Sequence, residues 1–301
     1  MFRILLLLAC GWALGACTPA LPERRATLEH EIRTIVDSVR ATVGVAAVFG
    51  PDDTLAIRPD AAFPMASVYK FHQALAVLDS LDRAALSLNT PIRVRPSDLH
   101  PDTWSPLRKA RPEGGYELPM AELLAYSVAL SDNNACDLLF RFLGSPRAAD
   151  RYMVKLGLGN TVIATDEQAM HAAPCWQYLN RTSPLDAVRL LERFRRGELL
   201  SARNTEFLMR TMLATATGPN KLKGLLPRGV RVAHKTGNGF RNEHGIMGAE
   251  NDIGIVFLPD GRAYSIAVFV TDSQECDSLN EAIIARISRC IYDYFSEPAL
   301  Q

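Results

Sequence analysis

Ser67-Val68-Tyr69-Lys70 opens the stretch on which the reading of this chain turns. The residues that follow, Phe71, Leu75, Leu78 and Leu81, recur at helical spacing. Ser67 and Lys70 stand at i and i+3 and so share one face of the first helical turn, within side-chain reach. A serine hydroxyl is a poor nucleophile until a neighbour takes its proton. A lysine can take it once desolvation or another cation lowers its pKa, and the positive N-terminal end of a helix pushes the same way. Alone the pair says little, because a chain of this length holds about one Ser-x-x-Lys by chance.

The surroundings give it a place. Leu28, Ile32, Ile35, Val36 and Val39 form a helical stripe over 25–40. Val43 to Phe49 reads as a buried strand, turned by Pro51-Asp52-Asp53 into a second strand at Leu55-Ala56-Ile57. From about 64 to 215 the spacing is mostly helical: Ser67–Leu81, Pro119–Ala129, Asn133–Leu143, Ser183–Phe194 and Ala202–Met212. Ser183-Pro184 is a helix start and Gly197 a helix stop. Strands return at Val230–Lys235, Ile253–Leu258 and Tyr264–Val270, the last two joined by a hairpin turn at Pro259-Asp260-Gly261-Arg262, and a helix over about 278–295 follows. Strands at both ends with helices between predict an α/β lobe (17–63 and 216–301) into which an all-helical lobe (64–215) is inserted, with a site expected in the cleft between them.

The 301 residues balance 33 Lys and Arg against 33 Asp and Glu, which gives no electrostatic reason to expect a nucleic-acid partner. Hydrophobic residues are 48% and charged residues 22%, an ordinary globular composition without low-complexity runs or repeats. Met1-Phe2-Arg3 followed by the apolar run Ile4–Gly15 reads as a secretory signal over 1–16, too short to span a bilayer. Beyond residue 16 no apolar stretch is long enough to cross one. Of the four cysteines that follow Cys17, Cys136 and Cys290 fall in apolar helical patterns and read as buried free thiols. His171 and Cys175 lack a second pair at ligand spacing, so neither a metal nor a cofactor is expected.

Two further motifs carry chemistry. Ser131-Asp132-Asn133 lies between two helical runs; it reads either as a helix cap or as a proton-relay serine with an amide for substrate. Lys235-Thr236-Gly237 ends a strand; it is either a strand exit or a cleft-facing edge that offers a cation and a hydroxyl to a substrate carboxylate.

In this order and on these elements, the three motifs resemble those of class A serine β-lactamases and penicillin-binding proteins. The resemblance is to class A, nearest its extended-spectrum branch of PER- and VEB-type enzymes, and runs from about 28 to 295. It is dense in Thr103-Trp104-Ser105-Pro106-Leu107-Arg108, in Ser131 to Asp137, in Ala233 to Gly237 and in Asn251 to Val256. Leu14-Gly15-Ala16-Cys17 resembles the lipobox of bacterial lipoproteins, which implies a lipidated Cys17 and a catalytic body held at a membrane in the periplasm; the alternative is an ordinary signal cut after Ala20.

The resemblance implies an antiparallel sheet flanked by helices and a monomeric enzyme that opens the β-lactam amide with Ser67 and then hydrolyses the acyl-enzyme with water. It implies an oxyanion hole from the backbone N–H groups of Ser67 and Asn238, a proton for the ring nitrogen through Ser131, and Lys70 or Glu167 as base for acylation. Asn133, Lys235, Thr236, Gly237 and Trp104 are implied on the substrate side. Glu167, on a loop over about 161–180, is the implied base for deacylation; read alone it is a loop acid. The chain departs from the commoner pattern where His171 replaces an Asn four residues after the Glu, so Asn180 is expected to help hold the water. It departs again where Ile253 replaces an Arg, so Lys221 is expected to anchor the substrate carboxylate, with Arg241 as a second cation to examine. The rival readings are a peptidoglycan carboxypeptidase and a β-lactam sensor that acylates without turnover.

Overall fold

The computed structural model describes residues 21–50 and 53–297; the signal segment and Cys17 lie outside them. In chain order the elements are α1 (Leu21–Asp37), β1 (Thr42–Val48), β2 (Thr54–Ile57) and β3 (Phe63–Pro64), then a 3-10 turn over Ala66–Val68 that runs into α2 (Tyr69–Arg83). Next come β4 (Pro91–Val94), α3 (Pro106–Ala110), β5 (Tyr116–Pro119), α4 (Met120–Ala129), α5 (Asn133–Leu143) and α6 (Pro146–Lys155). The one-turn helix α7 (Glu167–Met170), β6 (Arg181–Thr182), α8 (Pro184–Arg195) and α9 (Ala202–Leu213) precede the closing run β7 (Arg231–Asn238), β8 (Glu250–Phe257), β9 (Ala263–Thr271) and α10 (Asp277–Ser296).

The five long strands form one antiparallel sheet in the order β2-β1-β9-β8-β7. Both faces are covered, which is why its strands read as nearly continuous apolar runs. Val43, Val45 and Ala47 of β1 and Ile266, Val268 and Val270 of β9 point to the core shared with α1 and α10. Ala46 and Val48, with Ala267 and Phe269, point the other way, to the larger core built on α2, α4, α5 and α8. Helix α8 lies against β1 and β9, so a helix grouped by sequence order with 64–215 covers the sheet. Gly44 makes that close approach workable: a Cβ there would stand 2.4 Å from the Phe63 ring and 2.8 Å from Pro184 Cγ.

Two features position the site. Helix α2 is buried from Tyr69 through Leu78, the central rod of the helical layer, so Lys70 on its first turn has no solvent. Strand β7 is the edge of the sheet, and its far end runs beside the 3-10 turn that carries Ser67. The β4–β5 hairpin, the two-residue ladder β3–β6 and helix α6 lie outside the elements read from sequence. Among the described residues Cys136, Cys175, Cys276 and Cys290 are free thiols; Cys136 is buried and Cys290 only half-buried. No helix among those residues is long and apolar enough to cross a membrane.

Candidate active site

Ser67 is held from three directions. Asn251 Nδ2 donates to Pro64 O (2.8 Å) and Met65 O (3.1 Å), and Met65 N donates to Asn180 O (2.8 Å). The edge strand closes in at Gly237, where a Cβ would meet Met65 O at 2.4 Å. Ala66, immediately before the serine, takes φ 43°, a left-handed conformation that costs an alanine strain and is of the kind held at functional sites.

Lys70 Nζ lies 2.9 Å from Ser67 Oγ, as the i, i+3 spacing predicts. The same ammonium donates to Ser131 O (2.9 Å) and Asn133 Oδ1 (2.5 Å), and it pairs with Glu167 Oε1 at 2.9 Å. Four acceptors from three separate segments therefore surround one buried cation. Burial by itself would push the Glu167 carboxyl up, but the Lys70 charge and hydrogen bond outweigh it and hold the group below the usual glutamate range. Glu167 is ionised at neutral pH and points at the serine's partner.

Ser131-Asp132-Asn133 does both of the things its sequence allows. Asp132 is the cap: its Oδ1 accepts from Ala135 N (2.8 Å), and it also receives Ser105 Oγ and Leu107 N. The residues on either side face the cleft. Ser131 sits at φ 57° and its Oγ accepts from Lys235 Nζ at 2.9 Å. Asn133 Nδ2 donates to Thr103 Oγ1 at 2.7 Å. Lys235 is buried, and burial together with the Lys70 charge pushes its pKa well down. Trp104 stands at the rim, 53% exposed, with its indole N–H on Leu130 O and Lys109 over its ring. Thr236 Oγ1 meets Thr217 Oγ1 at 2.6 Å. The cleft so formed has a volume of about 610 Å³, with Ser67, Trp104, Ser131, Glu167, Thr236 and Asn238 on its walls.

Glu167 opens α7, and that one-turn helix is tied down by carboxylates. Asp166 caps it through Ala169 N (2.8 Å), while Asp137 Oδ1 and Oδ2 accept from Glu167 N (2.9 Å) and Gln168 N (3.0 Å). Burial and the nearby Glu167 charge push the Asp137 carboxyl up to about 7. His171 Nδ1 is 2.7 Å from Glu167 O, so that nitrogen engages the backbone and not the Glu167 carboxylate. Its ring meets Phe240 edge-on across the cleft, at 5.1 Å between centroids.

Three residues expected near the substrate or its water are engaged by other parts of the protein. Asn180 is fully buried and off the cleft walls; its Oδ1 accepts from Ala164 N and Thr165 N and its Nδ2 donates to Thr165 O. The amide is engaged in closing the loop. Lys221 has no exposed surface and pairs with Glu250 at 2.5 Å. Arg241 is likewise engaged, by Asp277 and the carbonyls of Gly245 and Glu275. Both cations already carry protein partners.

Sequence reasoning missed Asp137, Thr217 and Gln177. Gln177 takes Phe240 N on Oε1 (2.8 Å) and gives Nε2 to Phe240 O (3.3 Å), which joins the Glu167 loop to the segment after β7. Gly239 and Gly248 leave room for it, since a Cβ on either would lie 2.4 Å from Oε1. That pair of glycines after Lys235-Thr236-Gly237 was the available signal. Among the described residues, no three His, Cys, Asp or Glu side chains gather as metal ligands would.

Comparison with known proteins agrees with this geometry. The model of the β-lactamase enzyme family matches residues 27–295. The chain is 44% identical to the extended-spectrum β-lactamase PER-1 of Pseudomonas aeruginosa over 270 residues, 89% of this chain and 87% of that one. It is 42% identical to a β-lactamase of Bacteroides uniformis over 272 residues, 90% of this chain and 92% of that one. The crystal structure of the TLA-1 extended-spectrum β-lactamase superposes with a TM-score of 0.89 at 44% identity, covering 90% of this chain and 99% of that one. With its fold, its motif order and nearly all of its described length accounted for in this way, the chain belongs to the β-lactamase enzyme family, in class A on the PER- and VEB-type side.

Proposed function

We propose that the protein hydrolyses penicillins and cephalosporins through an acyl-enzyme on Ser67 and so confers resistance to them. The observation that carries this reading is the position of Lys70 Nζ, 2.9 Å from both the Ser67 hydroxyl and the Glu167 carboxylate. A penicillin-binding transpeptidase needs only the first contact; rapid release of the acyl group needs a base for water as well, and Glu167 supplies one.

The β-lactam carbonyl lies over Ser67 with its oxygen on the N–H groups of Ser67 and Asn238. As Ser67 Oγ bonds to the carbonyl carbon, its proton leaves. It passes to Glu167 either through water or by Lys70 handing its own proton across the ion pair and taking the serine's. On both routes it ends on the carboxylate. The C–N bond breaks, and Ser131, backed by Lys235, delivers its proton to the ring nitrogen; the proton held on Glu167 passes back by way of Lys70 to restore the Ser131 hydroxyl, which leaves Glu167 ionised. Glu167, returned to its ionised form, then takes a proton from water as the water attacks the acyl carbonyl; Ser67 leaves with a proton restored to it. The substrate carboxylate meets the Thr236 and Thr217 hydroxyls on the cleft wall, with Lys235 behind them on Ser131 Oγ. Asn133 and Trp104 line the approach. The two-lobe reading, export to the periplasm, a lipid anchor at Cys17 and a monomeric state complete the proposal. The motive for the anchor is Leu14-Gly15-Ala16-Cys17 directly after the apolar signal core.

Loss of Ser67 and loss of Glu167 give different failures. Ser67→Ala removes the nucleophile, so mass spectrometry after mixing with a penicillin shows no added mass. Glu167→Ala keeps the nucleophile and loses the base for water; deacylation falls by at least ~10²-fold and the protein retains one drug mass for long periods. Wild-type turnover by Glu167→Ala would reduce Glu167 to a loop acid.

Asp137 gives a pH prediction. Its folded-state value of about 7 lies above the unfolded value near 4, so the stabilising form is the protonated one. That contribution is full below about pH 4 and is lost as pH rises to about 7. Asp137→Asn carries no charge at any pH, so its Tm relative to wild type should climb over this window, by an equivalent of about 1–3 kcal/mol. Parallel Tm–pH curves would show that Asp137 is not held up.

A further inference from the structure

Lys221 is the largest buried charge that the reaction leaves unused. Its Nζ reaches Glu250 Oε1 (2.5 Å), Asn238 Oδ1 (3.0 Å), Asn251 O (3.2 Å) and Gly237 O (3.3 Å). Asn238 closes the ring from the other side, with Nδ2 donating to the same Glu250 Oε1 at 2.7 Å. Both charges are buried, Lys221 at 0% and Glu250 at 1% exposure. The chain makes room for the stem of Lys221: Gly218 is at φ +59°, and a Cβ there would sit 2.6 Å from Thr236 Cγ2 and 3.0 Å from Lys221 Cδ.

The partners are the informative part. Asn238 faces Glu250 and Gly237 faces Asn251 in the β7–β8 register. Asn238 is the residue whose backbone N–H the proposed reaction uses for the oxyanion. Asn251, whose carbonyl Lys221 holds, sends its amide to Pro64 O and Met65 O, and those residues lead directly to Ser67, the other donor. One buried ion pair therefore grips both sides of the place where negative charge develops, and touches no open surface itself.

We propose that Lys221 and Glu250 are positioning residues for the oxyanion hole: a buried bracket that fixes the Asn238 segment and, through Asn251, the approach to Ser67. This rests on the acyl-transfer reading given above. It departs from a carboxylate anchor in a measurable way. An anchor acts on the substrate's carboxylate; a bracket acts on the carbonyl that every substrate shares. A donor misplaced by a fraction of an ångström stabilises the developing charge less, and whole-donor deletions typically cost about 10²–10³ in rate.

The test compares acylation of Ser67 by a penicillin and by the methyl ester of its carboxylate, in wild type, Lys221→Met and Glu250→Gln, read as ring opening in a single turnover. The bracket predicts that each variant slows acylation roughly ten- to a hundredfold, and by the same factor for acid and ester. Lys221→Met/Glu250→Leu leaves no unpaired buried charge, so it keeps the fold should a single variant lose it. It should be no slower than the slower single variant, because the two residues act as one unit. Slowing confined to the acid would overturn the bracket in favour of an anchor, and a double variant that acylates at the wild-type rate would overturn it outright. A wild type that halts after one acyl group per chain would instead contradict the proposed hydrolysis, and the acylation comparison would still decide the bracket.

Discussion

A single buried ammonium sets the terms for this structure. Lys70 lies on the first turn of a helix that is buried almost throughout, where an isolated cation would be expensive to keep. The 3-10 turn, the α4–α5 junction and the Glu167 loop each bring it an acceptor. Removing one partner of such a group leaves a buried charge uncompensated and typically costs about 3–5 kcal/mol. The ammonium thus makes the three segments interdependent, and the catalytic geometry is also the geometry that satisfies the charge.

The supports around it follow the same logic. Ala66 and Ser131 both hold left-handed backbone, one beside the nucleophile and one beside the second lysine. Each has a support beside it: Gly237 admits the edge strand against Met65 O, and Asp132 ties α5 to α3. Edge strands usually leave hydrogen-bonding groups unpaired. Here β7 turns that property to use, with its outer side forming a wall of the cleft.

The sequence made the long elements and the reacting groups legible because both leave short-range patterns. Apolar spacing located α2, α5, α8 and α10, and the paired faces of a covered sheet gave the continuous runs at 43–49, 253–258 and 264–270. Helix α6 was missed although Ser145-Pro146 is the same kind of start as Ser183-Pro184; its exposed face dilutes the stripe. The fates of Lys221 and Asn180 were not legible. Whether a lysine reaches a cleft or turns into a protein interior depends on Glu250, twenty-nine positions away in sequence and opposite Asn238 only in the folded sheet. Asn180 stands where it should for a loop closure, and only the folded loop shows that its amide is engaged there. The role of Asp137 leaves no local trace, since its two N–H partners lie about thirty residues on in the chain.

The central claim is that Lys70 keeps Glu167 ionised against its burial. Infrared difference spectra between the protein and its Glu167→Gln variant near pH 5 isolate that one carboxyl. The account predicts an ionised carboxylate band in the otherwise native protein, and a protonated carboxyl band when the same difference is taken in a Lys70→Met background, where the chief opposition to burial is gone. A protonated Glu167 in the native protein, or a band indifferent to Lys70→Met, would contradict it.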